Sequence, residues 1–515
     1  MRPFASPFRL RLALPLALLR CAFACGVLGA LLAAPAAAQG SSGGDRLASL
    51  IEEELDGRNL TGARWGVLVV DLESGRTLYE RAADDYFSPA SNTKLVTTAA
   101  ALHLLGPDFR YETSLWSSGA VVEGTLWGNL IVHGSGDPTL GARFEGFDRR
   151  RVFRAWADSL RHAGISRVAG DLIGDDDVFA DEPHGMGWEP EDFLWGYGAE
   201  IAGLTFHEGT VDMTVRPTRP GDPARVSWEP ADTDYVSVTN LSRTRPAGGD
   251  ILERYERPSE SNDITVGAEV PVGRVEEEAL AVHNPTAYFL HVLHRTLGEN
   301  GVEVRGVPLD IDEWDDTPDY GQMELVATYH SVPLRDIVEV TNTESHNLFA
   351  EHLLRTVGAL RYGGFDARPG SADSGVLALR AFLDDADIPY HWVRLVDGSG
   401  LSPLNRVTPR ALIRILQYMD RHPDRATRQA WINSLAVGGR TGTLENRFRS
   451  GLTYDNVRAK TGYIRAVRTL SGYVTAVSGR RIAFSILCND FSVATSRVTA
   501  AEDAVVEVLA RYNGR

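Results

Sequence analysis

The stretch Phe87-Ser88-Pro89-Ala90-Ser91-Asn92-Thr93-Lys94-Leu95 decides how the rest of this 515-residue chain is read. Lys94 is one of two lysines. The other is Lys460, so fifty of the 52 basic residues are arginine. Arginine serves wherever a surface cation, an ion pair or a snorkelling stem is wanted. Its pKa above ~12 means that it keeps its proton, whereas a buried lysine can be tuned toward neutrality. A lysine three residues after a serine is therefore a candidate base beside a candidate nucleophile. Pro89-Ala90, then a polar triplet, then Leu95, Val96, Ala99 and Leu102 predict a turn feeding a helix with apolar periodicity. Residues i and i+3 share a helix face, so the Ser91 hydroxyl and the Lys94 amine come within hydrogen-bond reach. The helix N-terminus also offers unpaired N–H groups to developing negative charge. Read as plain structure, the same residues are a helix cap and a solvated lysine, and Ser-x-x-Lys alone is common by chance.

Residues 1–38 read as a secretory signal peptide. Arg2, Arg9, Arg11 and Arg20 precede the apolar run Cys21–Ala34, and Pro35-Ala36-Ala37-Ala38-Gln39 supplies small residues at a cleavage point. The run is short for a spanning helix, so no integral membrane anchor is expected. Cleavage removes Cys21 and Cys25, leaving Cys488 without a disulfide partner inside an apolar strand. The net charge of −17 becomes −21 once the leader's four arginines are lost. That balance argues against nucleic-acid and anionic-membrane partners, which require a basic surface.

The hairpin Trp65–Asp71 and Thr77–Glu80 and three C-terminal segments (457–460, 469–477, 482–488) predict an α+β fold: one five-stranded antiparallel sheet flanked by helices. Residues 39–110 and 322–515 would then form one discontinuous domain. The middle is strand-rich, with short apolar segments between Gly, Pro and Asp clusters. It reads as two smaller inserted domains, one of residues 111–205 and 276–321, the other of residues 206–275 nested within it. Gly134-Ser135-Gly136-Asp137-Pro138 lacks the following Lys-Ser/Thr of a phosphate loop and reads as a structural turn. Asp175-Asp176-Asp177 lacks the spaced acids of a calcium loop and reads as a solvated turn. No metal or other cofactor is expected.

Three motifs stand in order: Ser91-x-x-Lys94, Ser345-x-Asn347 and Lys460-Thr461-Gly462. The trio is the signature set of serine β-lactamases and penicillin-binding proteins. Around it lie Tyr197-Gly198-Ala199, Asp397-Gly398-Ser399-Gly400-Leu401-Ser402 and the glycine turn at 134–138. With these, the chain resembles the low-molecular-mass (class C) D-alanyl-D-alanine carboxypeptidase/endopeptidase family with inserted domains. The roughly 250 residues between Lys94 and Ser345 fit that branch.

The resemblance implies a β-lactamase/transpeptidase-like fold and a role for each residue. Ser91 is the nucleophile, and Lys94 is its base, kept neutral with the help of Lys460. Ser345 relays a proton to the leaving nitrogen, while Asn347 orients Lys94 and the substrate. Lys460 and Thr461 bind the substrate's terminal carboxylate. Gly462 leaves room for the substrate backbone along its strand, and the N–H groups of Ser91 and Tyr463 hold the oxyanion, each worth ~3 kcal/mol. Two positions depart from the family: Tyr463 replaces the usual Ser or Thr, and His346 replaces the common Asp, on a side chain read as facing away.

The expected function is a serine-type D-Ala-D-Ala carboxypeptidase, with endopeptidase action on cross-links open, exported to the periplasm or cell-wall space. Peptidoglycan stem peptides are the expected substrates and β-lactams the inhibitors. The alternatives are a serine β-lactamase and a non-catalytic peptidoglycan-binding scaffold.

Overall fold

The computed structural model describes residues 43–514 except 58–59, 145, 147, 231–233 and 363–368, with only the backbone of 43–45 and 362. The signal-peptide reading of 1–38 lies outside the described residues. Among the described residues, no helix is long and apolar enough to cross a membrane.

The strand Arg64–Asp71 carries the run Trp65-Gly66-Val67-Leu68-Val69-Val70, buried throughout. Side chains alternate between the two faces of a strand, and here both faces are covered. Val67 and Val69 join a core with Leu47, Ile51 and Leu55 of the helix Gly43–Asp56 and with Val498, Val505 and Leu509 of the helix Thr495–Ala510. Leu68 and Val70 join the opposite core with Leu95, Val96 and Leu102 of the helix Thr93–Leu105. The strand Arg481–Asn489 repeats the pattern. Ile482, Phe484, Ile486 and Cys488 face the first core, and Ala483 and Leu487 the second. Continuous apolarity thus marks a strand between two helical layers.

The sheet runs Thr77–Arg81, Arg64–Asp71, Arg481–Asn489, Val467–Thr475, Arg458–Ile464, Ala436–Val437, all antiparallel. It has six strands rather than the five expected. The sixth is an edge strand of two residues, Ala436–Val437, too short to leave a period in the sequence. The Lys460 strand continues to Ile464, so Lys460-Thr461-Gly462 lies in its middle.

Between Tyr111 and Tyr329 the chain builds separate, smaller sheets. One has five strands, ordered Pro308–Asp310, Leu172–Asp175, Leu130–His133, Glu112–Ser117, Glu324–His330. Another pairs Thr210–Arg216 with both Arg225–Glu229 and Glu276–Ala281. The helices Arg151–His162 and Pro285–Glu299 bury Phe153, Trp156, Phe289 and Leu293 against these strands in a core of their own.

Two local readings are now decided. Gly136 sits at a φ of 78° and gives its carbonyl to His352 Nδ1, so the glycine turn is structural. The Asp175–Asp177 segment is not a solvated turn. Asp175 ends a buried strand and accepts from the Tyr320 hydroxyl, and burial pushes Asp176 up to about 7.

Candidate active site

A one-turn helix Ala90–Asn92 opens from a left-handed Ala90 (φ 46°) and leads into the helix Thr93–Leu105. Residues 93–102 of that helix are all buried, because sheet and helices enclose it on every side. Lys94 therefore has no solvent exposure. Burial is the leading cause that pushes its amine down from 10.5 to about 7, against the opposing charges of Asp397 and Glu351.

Three oxygens surround Lys94 Nζ: Asn347 Oδ1 at 2.6 Å, the Ser399 carbonyl at 2.7 Å and Ser91 Oγ at 3.0 Å. The first two can only accept. The Asn347 amide is oriented by its own Nδ2, which donates to the Tyr197 carbonyl at 2.9 Å. A neutral amine has two N–H groups and one lone pair. With both N–H groups given to Asn347 and Ser399, the lone pair is left for the Ser91 hydroxyl.

Ser345 precedes the helix Asn347–Tyr362 and adopts a left-handed φ of 67°. It therefore lies outside the helix, in the turn that leads into it. Lys460 Nζ donates to Ser345 Oγ at 2.8 Å and to the Thr461 carbonyl at 2.9 Å. Lys460 is fully buried, and burial, then the charge of Lys94, lowers it well below the ordinary lysine value. For Lys94 removal from water is the leading cause, and the repulsion between the two amines acts on both and favours a neutral amine in the pair.

Gly462 is required by its back side. A Cβ there would lie 2.2 Å from Thr469 Oγ1, 2.8 Å from the Pro89 carbonyl and 3.0 Å from Ser91 N. The close approach seats the Ser91 turn on the sheet, a bond completed by Asn92 Nδ2 donating to the Lys460 carbonyl at 2.9 Å. Thr461 is buried beside it, and Tyr463 is exposed with its ring at the cleft. The cleft, about 470 Å³, is lined by Ser91, Ser345, Asn347, Tyr197, Tyr463 and Arg465 among others.

All eight sequence-nominated residues thus converge on one place. The sequence reading gave no role to the shell that holds Lys94. Glu351 Oε1 accepts from the N–H groups of Gly398 and Ser399, and Oε2 pairs with the buried Arg355 at 2.9 Å. Asp397 accepts from Gly400 N, Ser402 N, Asn405 Nδ2 and Trp188 Nε1. Gly400 (φ 84°) lies so close to the Ala90 carbonyl that a Cβ would meet it at 1.9 Å. The only sequence signal for this shell was the glycine-serine loop itself.

Residues 47–512 match the model of the D-Ala-D-Ala carboxypeptidase 3 (S13) family. The chain is similar to the D-alanyl-D-alanine carboxypeptidase of Actinomadura sp. (strain R39), 34% identical over 94% of this chain and 88% of that one. It is similar to D-alanyl-D-alanine carboxypeptidase DacB of Haemophilus influenzae, 27% identical over 84% and 86%. The crystal structure of penicillin binding protein 4 (dacB) from Haemophilus influenzae superposes with a TM-score of 0.76 at 25% identity, covering 90% of this chain and 99% of that one.

Proposed function

Because the chain belongs to the D-Ala-D-Ala carboxypeptidase 3 (S13) family of serine-type, penicillin-binding hydrolases, we propose that Ser91 is its nucleophile and neutral Lys94 its general base. The observation that carries this is the saturation of Lys94: two accept-only oxygens take its N–H groups, leaving its lone pair for Ser91. A serine hydroxyl is a weak nucleophile until a base takes its proton, and a base at about 7 is poised for that transfer near neutral pH.

Ser91 Oγ attacks the carbonyl carbon of the penultimate D-Ala as its proton passes to Lys94. The tetrahedral oxyanion lies between the N–H groups of Ser91 and Tyr463. On collapse the C–N bond breaks, and the proton taken up by Lys94 is relayed through the Ser345 hydroxyl, held by Lys460, to the departing D-Ala amine, which leaves Lys94 neutral again. Water then adds to the acyl carbon as Lys94 takes its proton, the Ser91 Oγ–acyl bond breaks, Lys94 returns the proton to Ser91 Oγ, and the shortened peptide leaves. Asn347 orients Lys94 and the substrate amide. Lys460 and Thr461 serve the substrate's terminal carboxylate, and Gly462 lets the Lys460 strand and the Ser91 turn meet.

The substrates are peptidoglycan stem peptides ending in D-Ala-D-Ala, met after export under the leader at 1–38. Endopeptidase cleavage of cross-links uses the same acyl-enzyme. Residues 39–110 and 322–515 form the catalytic domain. Residues 111–205 with 276–321 form the inserted domain, and 206–275 a smaller one nested in it. The test is mass analysis of products from a stem pentapeptide together with labelling by a fluorescent penicillin. Wild type releases D-Ala and is labelled, and Ser91→Ala does neither. Labelling of Ser91→Ala overturns the assignment.

A further inference from the structure

Ser345 and Asn347 flank His346, whose side chain turns away from the cleft toward the segment inserted in the catalytic fold. There His346 Nε2 meets Glu208 Oε2 at 2.7 Å. Its other ring nitrogen, Nδ1, accepts from Phe349 N–H at 3.4 Å, one of the unpaired donors at the start of the helix Asn347–Tyr362. The two contacts select one tautomer. Nε2 carries the hydrogen for the carboxylate, and Nδ1 keeps its lone pair for the backbone.

Glu208 is itself fixed. Arg143 Nε and NH2 reach Glu208 Oε1 and Oε2 at 2.5 and 3.2 Å, and Arg143 NH1 reaches Glu344 Oε2 at 2.8 Å. Glu344 and His346 are the neighbours of Ser345 on either side, so both are tied to the same arginine–glutamate pair. The backbone is left-handed at each end of this bridge: Ser345 at φ 67°, and His207 and Glu208 at 51° and 59°. Side chains other than glycine hold that conformation only where the surroundings over-determine it, and such strain gathers at functional sites. Nearby charges complete the balance. Burial opposes ionisation, yet the hydrogen bond from His346 and the hydrogen bonds and charge of Arg143 hold the Glu208 carboxyl far below its usual range, so it stays ionised and accepting.

We propose that Glu208 and Arg143 of the inserted segment are positioning residues for the reaction, clamping Glu344 and His346 so that Ser345 and Asn347 face Lys460 and Lys94. The proposal rests on the reading of Ser345 as proton relay, and it gives the insertion a catalytic consequence without any contact to substrate. His346, which departs from the family pattern, is the link that makes the clamp possible.

The test uses the full mature protein and four variants: Glu208→Gln, Arg143→Met, His346→Ala and His346→Gln. Two readouts are taken. Hydrogen exchange at the Ser345–Phe349 amides reports the clamp without reference to chemistry. The penicillin acylation rate constant, separated from the affinity of the initial complex, reports its effect on the reaction. Glu208→Gln, Arg143→Met and His346→Ala should each speed exchange at Phe349 and slow acylation at least tenfold, with initial affinity changed less than threefold. His346→Gln offers both a donor and an acceptor and should recover part of the rate. Combining Glu208→Gln with His346→Ala should cost no more than either alone. Wild-type acylation rates in Glu208→Gln and Arg143→Met, or additive losses in the double variant, overturn the proposal. Labelling that persists in Ser91→Ala overturns the reading of the site instead, and the exchange result then judges the clamp alone.

Discussion

Lys460 Nζ donates to Ser345 Oγ at 2.8 Å, joining residues 115 positions apart. The bond ties the middle of the Arg458–Ile464 strand to the left-handed turn that precedes the helix Asn347–Tyr362. The second lysine therefore reaches the cleft at a serine hydroxyl. The first, Lys94, meets Ser91 Oγ at 3.0 Å. Both amines are buried, and both sit below the ordinary lysine range. Four consequences can be measured.

Replacing Lys94 by arginine keeps a cation and removes the base, because a guanidinium does not give up its proton at any working pH. Acylation by penicillin should fall by about 10²- to 10⁴-fold, the usual contribution of a positioned acid–base group. Stopped-flow labelling of Lys94→Arg measures the loss. A rate near wild type would remove the neutral-amine argument.

The pH dependence follows from Lys94 at about 7 in the folded protein against its ordinary 10.5. Below the folded value the amine is charged and cannot accept the Ser91 proton. The acylation rate should therefore climb with pH through an inflection near 7. Stability carries the same sign. The folded state binds this proton more weakly than the unfolded chain, so the amine destabilises the fold most fully in acid. That penalty fades as pH rises through 7 toward the unfolded value. An inflection at the ordinary lysine value would contradict the burial argument.

Glu351 is buried, and it pairs with an equally buried Arg355 while accepting two backbone N–H groups of the Ser399 loop. Glu351→Gln leaves the guanidinium without its carboxylate, a loss of about 3–5 kcal/mol for a broken buried pair. It also removes one of the charges that raise Lys94. The denaturation midpoint should drop, and the acid limb of the acylation profile should move to lower pH. A shift of that limb upward would assign Glu351 no electrostatic part at Lys94.

Gly462→Ala places a methyl group against Thr469 Oγ1, the Pro89 carbonyl and Ser91 N. The strand and the Ser91 turn must separate. A core overpacked by one methyl loses about 1–3 kcal/mol, whereas misplacing a nucleophile by about an ångström costs about 10²-fold in rate. Acylation should thus suffer far more than the melting temperature. Equal rates in Gly462→Ala and wild type would show that the contact relaxes without moving Ser91.

Much of this was legible in the chain. The apolar runs at 65–70 and 482–488 announced strands covered on both faces, and the helix after Ser91 announced itself by its spacing. A sixth strand of two residues, Ala436–Val437, was not legible, since two residues carry no period. The left-handed turn at Ser345 was missed too. Serine has no special tendency toward that conformation, so its letter carries no signal for it. The shell of Glu351, Asp397 and Trp188 was silent because a buried acid and an exposed one are written with the same letter.

The order of residues by itself nominated the groups proposed to carry the chemistry: two lysines among fifty arginines, each beside a hydroxyl residue, in three motifs standing in order. Periodicity likewise determined the layered α+β architecture. Folding decided the lowering of Lys94 from the ordinary lysine value, the nearness of the two lysines, and the reach of the inserted segment to the residues flanking Ser345. Those depend on exclusion of water and on distances between residues far apart in the chain. Neither is encoded at any single position.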